Sequence, residues 1–201
     1  MRMSKEIAVL RTDQELIDLF QHGQQEAFDE LVRRYERPIR TLCRYYLSHP
    51  QDVQDASQDA FVRVYQALGT FEPRAQFSTW LYRIAINQCL NAIRAQRRRR
   101  WMQPFSQLRD SEEEPEFAAV GTKDPLQEVE QKERIQHVRE ALARLPEEQR
   151  AVVILHRYQG LSYQEIAETL GISLAAVESR LHRAKLKLAN LLAPYIRGAE
   201  R

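Results

Sequence analysis

Apolar residues recur at helical spacing along most of this chain, and almost no segment shows the alternation of a half-buried strand. In the first half, the pattern predicts a helix after Thr12, a second after Gly23, a third from about Asp52 to Leu68, and a fourth from Phe77 to about Arg94. Proline lacks a backbone N–H, so Pro38 should break or kink the second helix before Ile39, Leu42 and Tyr46 continue it. The fourth is apolar around most of its circumference and should be the most buried helix of an N-terminal domain.

The composition changes abruptly at Arg97–Arg100, where four arginines precede an acidic run at 110–116. This predicts a flexible linker over residues 98–124. Beyond it, Asp124 and Pro125 form a helix start, Pro146 opens another helix, and two short helical segments follow. The predicted fold is therefore all-α, with two small helical domains at 1–97 and 125–201.

Residues 161–187 have the punctuation of a helix-turn-helix. Ser162 and Glu165 have the spacing of a capping box, and Gly171 can turn left-handed at the helix end. Ser173 is a second N-cap candidate, so the second helix should begin near Leu174. The turn has only about three residues, which is typical of this DNA-binding motif.

The second helix of this motif has two distinct sides. Val177, Leu181, Ala184 and Leu188 fall on the side that faces the core. The other side and its flanks hold small, polar and basic residues that predict contacts to DNA: Ala175, Ala176, Ser179, Arg180, His182, Arg183 and Lys187. The alternative is an ordinary solvated basic face. Glu178 does not fit this prediction, because DNA phosphates repel its carboxylate unless Arg180, His182 or a cytosine amino group neutralises the charge.

The polar residues of the fourth helix fall on one stripe within about 60° of arc. It contains Trp80, Arg83, Asn87, Asn91, Arg94 and Arg98. Aromatic faces beside amides and guanidiniums are typical of proteins that hold unpaired bases. The preceding loop, with Phe71, could form the wall of a pocket for an extruded base. The alternative is that Phe71 and Trp80 simply pack against the core.

Composition sets limits on the function. The formal net charge is only +2, so any basic surface must be local. Cys43 and Cys89 form no CxxC pair and are expected to be core thiols in a reducing cytoplasm. The sequence predicts no membrane span, signal peptide, metal site or cofactor. A cytoplasmic protein without enzymatic activity is expected.

Two segments resemble a known family. Residues 52–99 look like conserved region 2 of bacterial sigma factors, and residues 144–185 look like their region 4. With a short linker between them, the chain resembles the extracytoplasmic-function group of the sigma-70 family over about residues 12 to 192.

The resemblance implies three sets of site residues. Core RNA polymerase would bind the acidic helix of region 2, at Asp52, Asp55, Gln58, Asp59, Val62 and Arg63. A flipped base of the promoter −10 element would be captured, and its strand followed, by Phe71, Phe77, Trp80, Arg83, Asn87, Asn91 and Arg94. The −35 element would be read as duplex by the second helix of the helix-turn-helix. Glu178 stands where many relatives carry Lys or Arg, so the resemblance does not imply which base would be preferred at that contact.

The resemblance also implies control by an anti-sigma factor. From the residues alone, without the resemblance, the acidic side of this helix would be interpreted as an ordinary solvent-exposed face. The main rival is a conventional helix-turn-helix regulator with a sensing or dimerising N-terminal domain. A second rival is a DNA-acting enzyme such as a recombinase, but the chain has no glycine-rich phosphate loop or convincing pair of acids.

Overall fold

The computed structural model describes residues 11–72, 76–102 and 125–198. Within these ranges every regular element is a helix, which confirms the all-α prediction. The helices are α1 (Asp13–Gln21), α2 (Glu26–Tyr46), α3 (Pro50–Leu68), α4 (Phe77–Met102), α5 (Pro125–Ala143), α6 (Glu147–Gln159), α7 (Tyr163–Leu170) and α8 (Leu174–Gly198).

Local capping chemistry fixes several of these boundaries. The Thr12 hydroxyl accepts a hydrogen bond from the backbone N–H of Glu15 at 3.2 Å, and the Glu15 carboxylate accepts from the Thr12 N–H at 2.6 Å. This reciprocal pair satisfies donors that a helix start otherwise leaves unbonded. Gly23 ends the following turn at φ +92°, a conformation that side chains with a Cβ rarely adopt.

Pro38 lies inside α2 and does not break it, because the following Ile39 and Leu42 are fully buried and the helix continues to Tyr46, as far as its apolar pattern was expected to run. One predicted helix limit differs from the structure. α4 continues past Arg94 to Met102 and includes the arginine run. Arginine is a good helix former, so a run of charge alone does not end a helix. The rest of the predicted linker, 103–124, lies outside the described residues.

The N-terminal core is built where α2, α3 and α4 meet, with α1 packed mainly on α2. Leu31, Ile39, Val64 and Leu81 are among its fully buried side chains. Cys43 of α2 and Cys89 of α4 are also fully buried, as free thiols whose sulfur atoms are 3.5 Å apart. They occupy the core, as the sequence predicts.

The C-terminal domain packs α8 against α5, α6 and α7. Ile154, Leu155, Ile166 and Val177 form the centre of its core and have almost no exposed surface. This arrangement buries one side of α8 and leaves the other side exposed to solvent. Among the described residues, no helix is both long and apolar enough to cross a lipid bilayer.

Candidate nucleic-acid interfaces

The helix-turn-helix forms at the predicted positions. The Ser162 hydroxyl accepts from the Glu165 N–H at 3.3 Å, and the Glu165 carboxylate accepts from the Ser162 N–H at 2.8 Å. These hydrogen bonds hold the pKa of the Glu165 carboxyl below its usual value. Gly171 ends α7 at φ +64°, and the Ser173 hydroxyl accepts from the Ala176 N–H at 3.2 Å to begin α8. Two caps therefore fix the turn between the helices.

The outer side of α8 is the first candidate interface. Ala175, Ser179, His182, Arg183 and Lys187 are exposed there, and Ala176 is half-buried. Small residues at the first turn and donors further along can approach a groove closely.

Arg180 lies apart from this exposed face. Its Nη2 pairs with a carboxylate oxygen of Glu148 on α6 at 2.8 Å, and its side chain is 20% exposed. The structure therefore uses Arg180 to join α8 to α6. Glu178 remains exposed beside Ser179.

The second candidate interface contains an aromatic cluster of Phe71, Phe77 and Trp80. The Phe71 and Trp80 ring centroids are 4.7 Å apart, and Phe77 lies 6.2 Å from Phe71 and 6.0 Å from Trp80. Phe77 is buried and packs edge-on against Tyr35 at 5.4 Å. Phe71 and Trp80 are only half-buried. Phe77 thus supports two rings that keep part of their surface in solvent.

The polar stripe of α4 continues from this cluster. Asn87, Asn91 and Arg94 are exposed. Nη2 of Arg94 lies 3.8 Å from a carboxylate oxygen of Glu147. Arg83 lies on the same stripe and hydrogen-bonds to α7. Residues 73–75 of the loop between α3 and α4 lie outside the described residues.

Sequence reasoning missed one residue that positions this cluster. Gln21, the last residue of α1, donates from Nε2 to the carbonyl oxygens of Leu68 at 3.1 Å and Phe71 at 3.0 Å. It thereby ties the loop that carries Phe71 to α1. A glutamine at a helix end has no distinctive pattern, and its partners are about fifty residues away, so no local signal indicated it.

The third candidate surface is the outer face of α3, where Asp52 is half-buried and accepts a hydrogen bond from Gln96. The other predicted residues on this face are exposed: Asp55, Gln58, Asp59, Val62 and Arg63. Val62 is 53% exposed and Tyr65, which the sequence analysis did not select, is 42% exposed. Tyr65 packs edge-on against Phe20 and Phe28 at 5.3 and 5.1 Å. Acidic side chains therefore border an apolar strip.

Both predicted regions match known families. Residues 31–99 match the family described as Sigma-70 region 2, and residues 135–188 match that described as Sigma-70, region 4. The chain is 36% identical over 190 residues to the ECF RNA polymerase sigma-E factor of Escherichia coli, covering 92% of this chain and 97% of the relative. It belongs to the extracytoplasmic-function group of the sigma-70 family.

A second relative gives the same assignment for this sigma factor. The RNA polymerase sigma-H factor of Pseudomonas aeruginosa is 35% identical over 194 residues, which covers 93% of this chain and 97% of that protein. Sigma factors bind core RNA polymerase and promoter DNA. Family membership decides against the conventional regulator considered above.

Solved structures share the fold over most of the sigma chain. CnrH in complex with the cytosolic domain of CnrY superposes with a TM-score of 0.67 at 29% identity, covering 90% of this chain and 97% of that one. The sigma factor RpoE of Bartonella quintana, in complex with the anti-sigma factor NepR, gives a TM-score of 0.63 at 23% identity and covers 83% and 96% of the two chains. The second likeness concerns the fold alone.

Proposed function

We propose that this sigma factor reads the promoter −35 element as intact duplex through the exposed side of α8. One observation carries this proposal: α8 is buried along Val177, Leu181 and Ala184, whereas its opposite side exposes small residues followed by Ser179 and Arg183. The alanine methyls suit contact with a thymine methyl, and Arg183 suits a guanine edge or a phosphate. The Arg180–Glu148 pair links α8 to α6 within the same domain.

The N-terminal domain would hold the −10 element as a separated strand. The partly exposed rings of Phe71 and Trp80 offer stacking surfaces, and Asn87 lies about two helical turns beyond Trp80 on the same face of α4, where it would bond a base edge. Arg83, Asn91 and Arg94 would then accompany the phosphate backbone. Phe77 is buried and packs against the rings of both Phe71 and Trp80.

The outer face of α3 would bind core RNA polymerase. Asp55 and Asp59 supply negative charge, and the exposed Val62 and Tyr65 supply an apolar centre. Such a combination gives electrostatic selectivity together with burial of apolar surface. The polymerase would hold the two domains at a fixed separation, so that two weak DNA sites act as one strong site.

This division of tasks needs no ATP, because unstacking a base costs only a few kcal/mol and the new contacts repay it. The protein would act in the cytoplasm as a non-catalytic factor without a cofactor. An anti-sigma factor would control it by covering these surfaces.

The proposal is tested by transcription with purified core polymerase and genomic templates. Specific starts should appear only when the wild-type protein is added. On a template mapped in this way, Arg183→Ala should weaken binding to the −35 duplex about ten-fold, the loss of one strong base or phosphate contact. Arg33→Ala, which removes an exposed arginine from α2, is the matched control and should change nothing.

Promoter opening is tested separately with Trp80→Ala. Permanganate footprinting should show reduced opening while −35 binding stays at the wild-type level, and Trp80→Phe should restore part of the signal. Normal opening by Trp80→Ala and Asn87→Ala would overturn the role assigned to the aromatic cluster.

A further inference from the structure

The first turns of α8 carry one acidic side chain among small ones. Glu178 is the fifth residue of this helix and is exposed to solvent. Ala175 and Ala176, which precede it, each end at a single methyl group, so the glutamate reaches well beyond them. The longest polar side chain at this end of α8 is therefore a carboxylate, which accepts hydrogen bonds and donates none when ionised.

The basic residue nearest to Glu178 in sequence does not neutralise this charge. Successive residues of a helix lie about 100° apart, so Arg180 projects about 200° around the axis from Glu178. On that opposite edge Arg180 pairs with Glu148 of α6 at 2.8 Å. Among the residues that the structure describes, the Glu178 carboxylate has no hydrogen-bond or ion-pair partner. A ligand of α8 must therefore supply its donor.

The chemistry changes along the edge of α8 that carries Glu178. His182 and Lys185 follow it by four and seven residues, nearly in line with it, and both are exposed. A recognition helix contacts base edges with its N-terminal residues, and the end of such a helix can contact the phosphate backbone. The acceptor on this edge thus lies where bases are read, and the nitrogen donors lie further along, toward the phosphates.

We propose that Glu178 is a specificity-determining residue, which selects a cytosine in the −35 element by accepting a hydrogen bond from the cytosine N4 amino group. This inference rests on the proposed function, because it requires α8 to lie in the major groove. It adds the base preference of one contact, which the resemblance to the family leaves open.

The groups that the four bases present in the major groove decide between them. Cytosine presents only a donor, its N4 amino group, whereas guanine presents two acceptors and thymine presents an acceptor and a methyl group. Adenine presents a donor beside the acceptor N7. A carboxylate therefore fits cytosine best, adenine less well, and guanine and thymine worst. Against a wrong base it would lose water without gaining a donor, which penalises the wrong sequence.

The test uses holoenzyme, assembled from the full-length protein and core polymerase, on a promoter mapped with the wild-type protein. Each base pair of the −35 element is replaced in turn by the other three, and relative affinities are measured by competition. At one position wild type should prefer cytosine over guanine and thymine on the order of ten-fold, the effect of one good base contact. Glu178→Ala should lose the preference at that position and keep the preferences at the others.

Glu178→Gln is the sharper variant, because it keeps the shape of the side chain and adds an amide donor. A glutamine can bond both N6 and N7 of adenine, so the preferred base at the same position should move from cytosine toward adenine. The matched control is Glu140→Gln, which makes the same change at an exposed position of α5. This variant should keep every base preference of wild type.

The amino group itself is tested with a template that carries pyrimidin-2-one in place of the selected cytosine. This base keeps the pyrimidine ring but lacks the N4 amino group. Wild-type holoenzyme should bind the modified template several-fold more weakly than the normal one. Glu178→Ala should bind the two templates equally, because it has no acceptor for the amino group.

The selection of cytosine is overturned if Glu178→Ala and Glu178→Gln keep every wild-type preference, or if the position that responds prefers another base in wild type. Equal losses by wild type and Glu178→Ala on the modified template also overturn it. In these cases a loss of affinity in Arg183→Ala would still support the proposed function. If neither Arg183→Ala nor any replacement within the −35 element changes affinity, the proposed function itself fails.

Discussion

At the scale of single residues, the promoter-strand surface depends on side chains that touch no DNA in the proposed function. Gln21 is the clearest example, because its amide bonds two carbonyls at the end of α3 and the start of the next loop. Without it, Phe71 would keep its ring neighbours but lose one anchor of its backbone. Gln21 is therefore a positioning residue.

Gln21→Ala should reduce promoter opening several-fold while −35 binding stays normal, because the loop carrying Phe71 becomes less well fixed. The loss of stability should be about 1 kcal/mol, the net value of a hydrogen bond. Permanganate footprinting and urea denaturation measure the two effects. Gln14→Ala, which removes a bond to Asp18 on the surface of the same helix, is the control, and equal defects in both variants would contradict the role.

Also at this scale, the Ser162 cap predicts a pH-dependent stability difference. Ser162→Ala should cost about 1 kcal/mol near neutral pH, because an N-cap and its return bond are lost. The lowered pKa of Glu165 means that its part of this stability is complete above the unfolded value of about 4.3 and disappears as the pH falls through the folded value.

Thermal unfolding from pH 7 to 3 measures this difference. Ser173→Ala is the matched control, because the Ser173 hydroxyl caps α8 without a return bond from an acid three residues on. Its cost should stay nearly constant with pH. If the loss of stability in the two variants changes with pH in the same way, the hydrogen bond to Glu165 adds no stability.

At the scale of helices, α3 combines a buried side that holds the N-terminal core with an outer side that carries charge. Val53, Ala60 and Val64 are buried, whereas Asp55 and Asp59 lie in solvent. Substitutions on the outer side should therefore affect binding without unfolding the domain. Surface changes away from caps and cores usually alter stability by less than about 0.5 kcal/mol.

Reversing charge with Asp55→Lys and Asp59→Lys should weaken affinity for core polymerase by on the order of ten-fold, since repulsion replaces attraction across the interface. Fluorescence anisotropy at two salt concentrations measures the affinity of each variant for core polymerase. The double variant Asp29→Lys and Glu36→Lys makes the same change in net charge on exposed positions of α2. If both double variants lose equal affinity, net charge rather than the α3 face is responsible.

The helices show what the sequence can and cannot predict. The boundaries of α7 and the start of α8 follow from Ser162, Glu165, Gly171 and Ser173, because caps are local chemistry between residues three or four apart. That α2 passes through Pro38 without a break follows from the burial of Ile39 and Leu42, which outweighs the missing donor. Contacts between distant residues, such as Arg83 with α7, leave no periodic signal at all.

At the scale of the whole molecule, α2 of the N-terminal domain contacts α6 of the C-terminal domain through Tyr45 and Tyr158, whose ring centroids are 3.8 Å apart, and this contact should be visible in a tyrosine titration. Burial, followed by the neighbouring Tyr158, raises the pKa of Tyr45 to about 12, against small opposing effects from Arg139 and Arg157. The stability that this residue gives to the contact between the two domains is complete below its unfolded pKa of about 10. It is lost as the pH rises from there through about 12.

The ultraviolet absorbance difference between wild type and Tyr45→Phe should therefore report ionisation near pH 12. The same comparison in a Tyr158→Ala background should report a lower pKa, nearer 10, since the ring is no longer covered. A pKa near 12 in both backgrounds would show that Tyr45 is buried by its own domain rather than by the other.

The buried cysteine pair has a practical consequence. A hydrogen bond to Cys43, together with burial, raises the pKa of the Cys89 thiol well above its usual value, and both sulfurs are shielded from solvent. Thiolates react with maleimide dyes and buried thiols do not, so cysteines introduced on the surface would be labelled selectively without removing the native ones. A donor dye on one domain and an acceptor on the other would then follow domain separation in single molecules as polymerase and promoter are added.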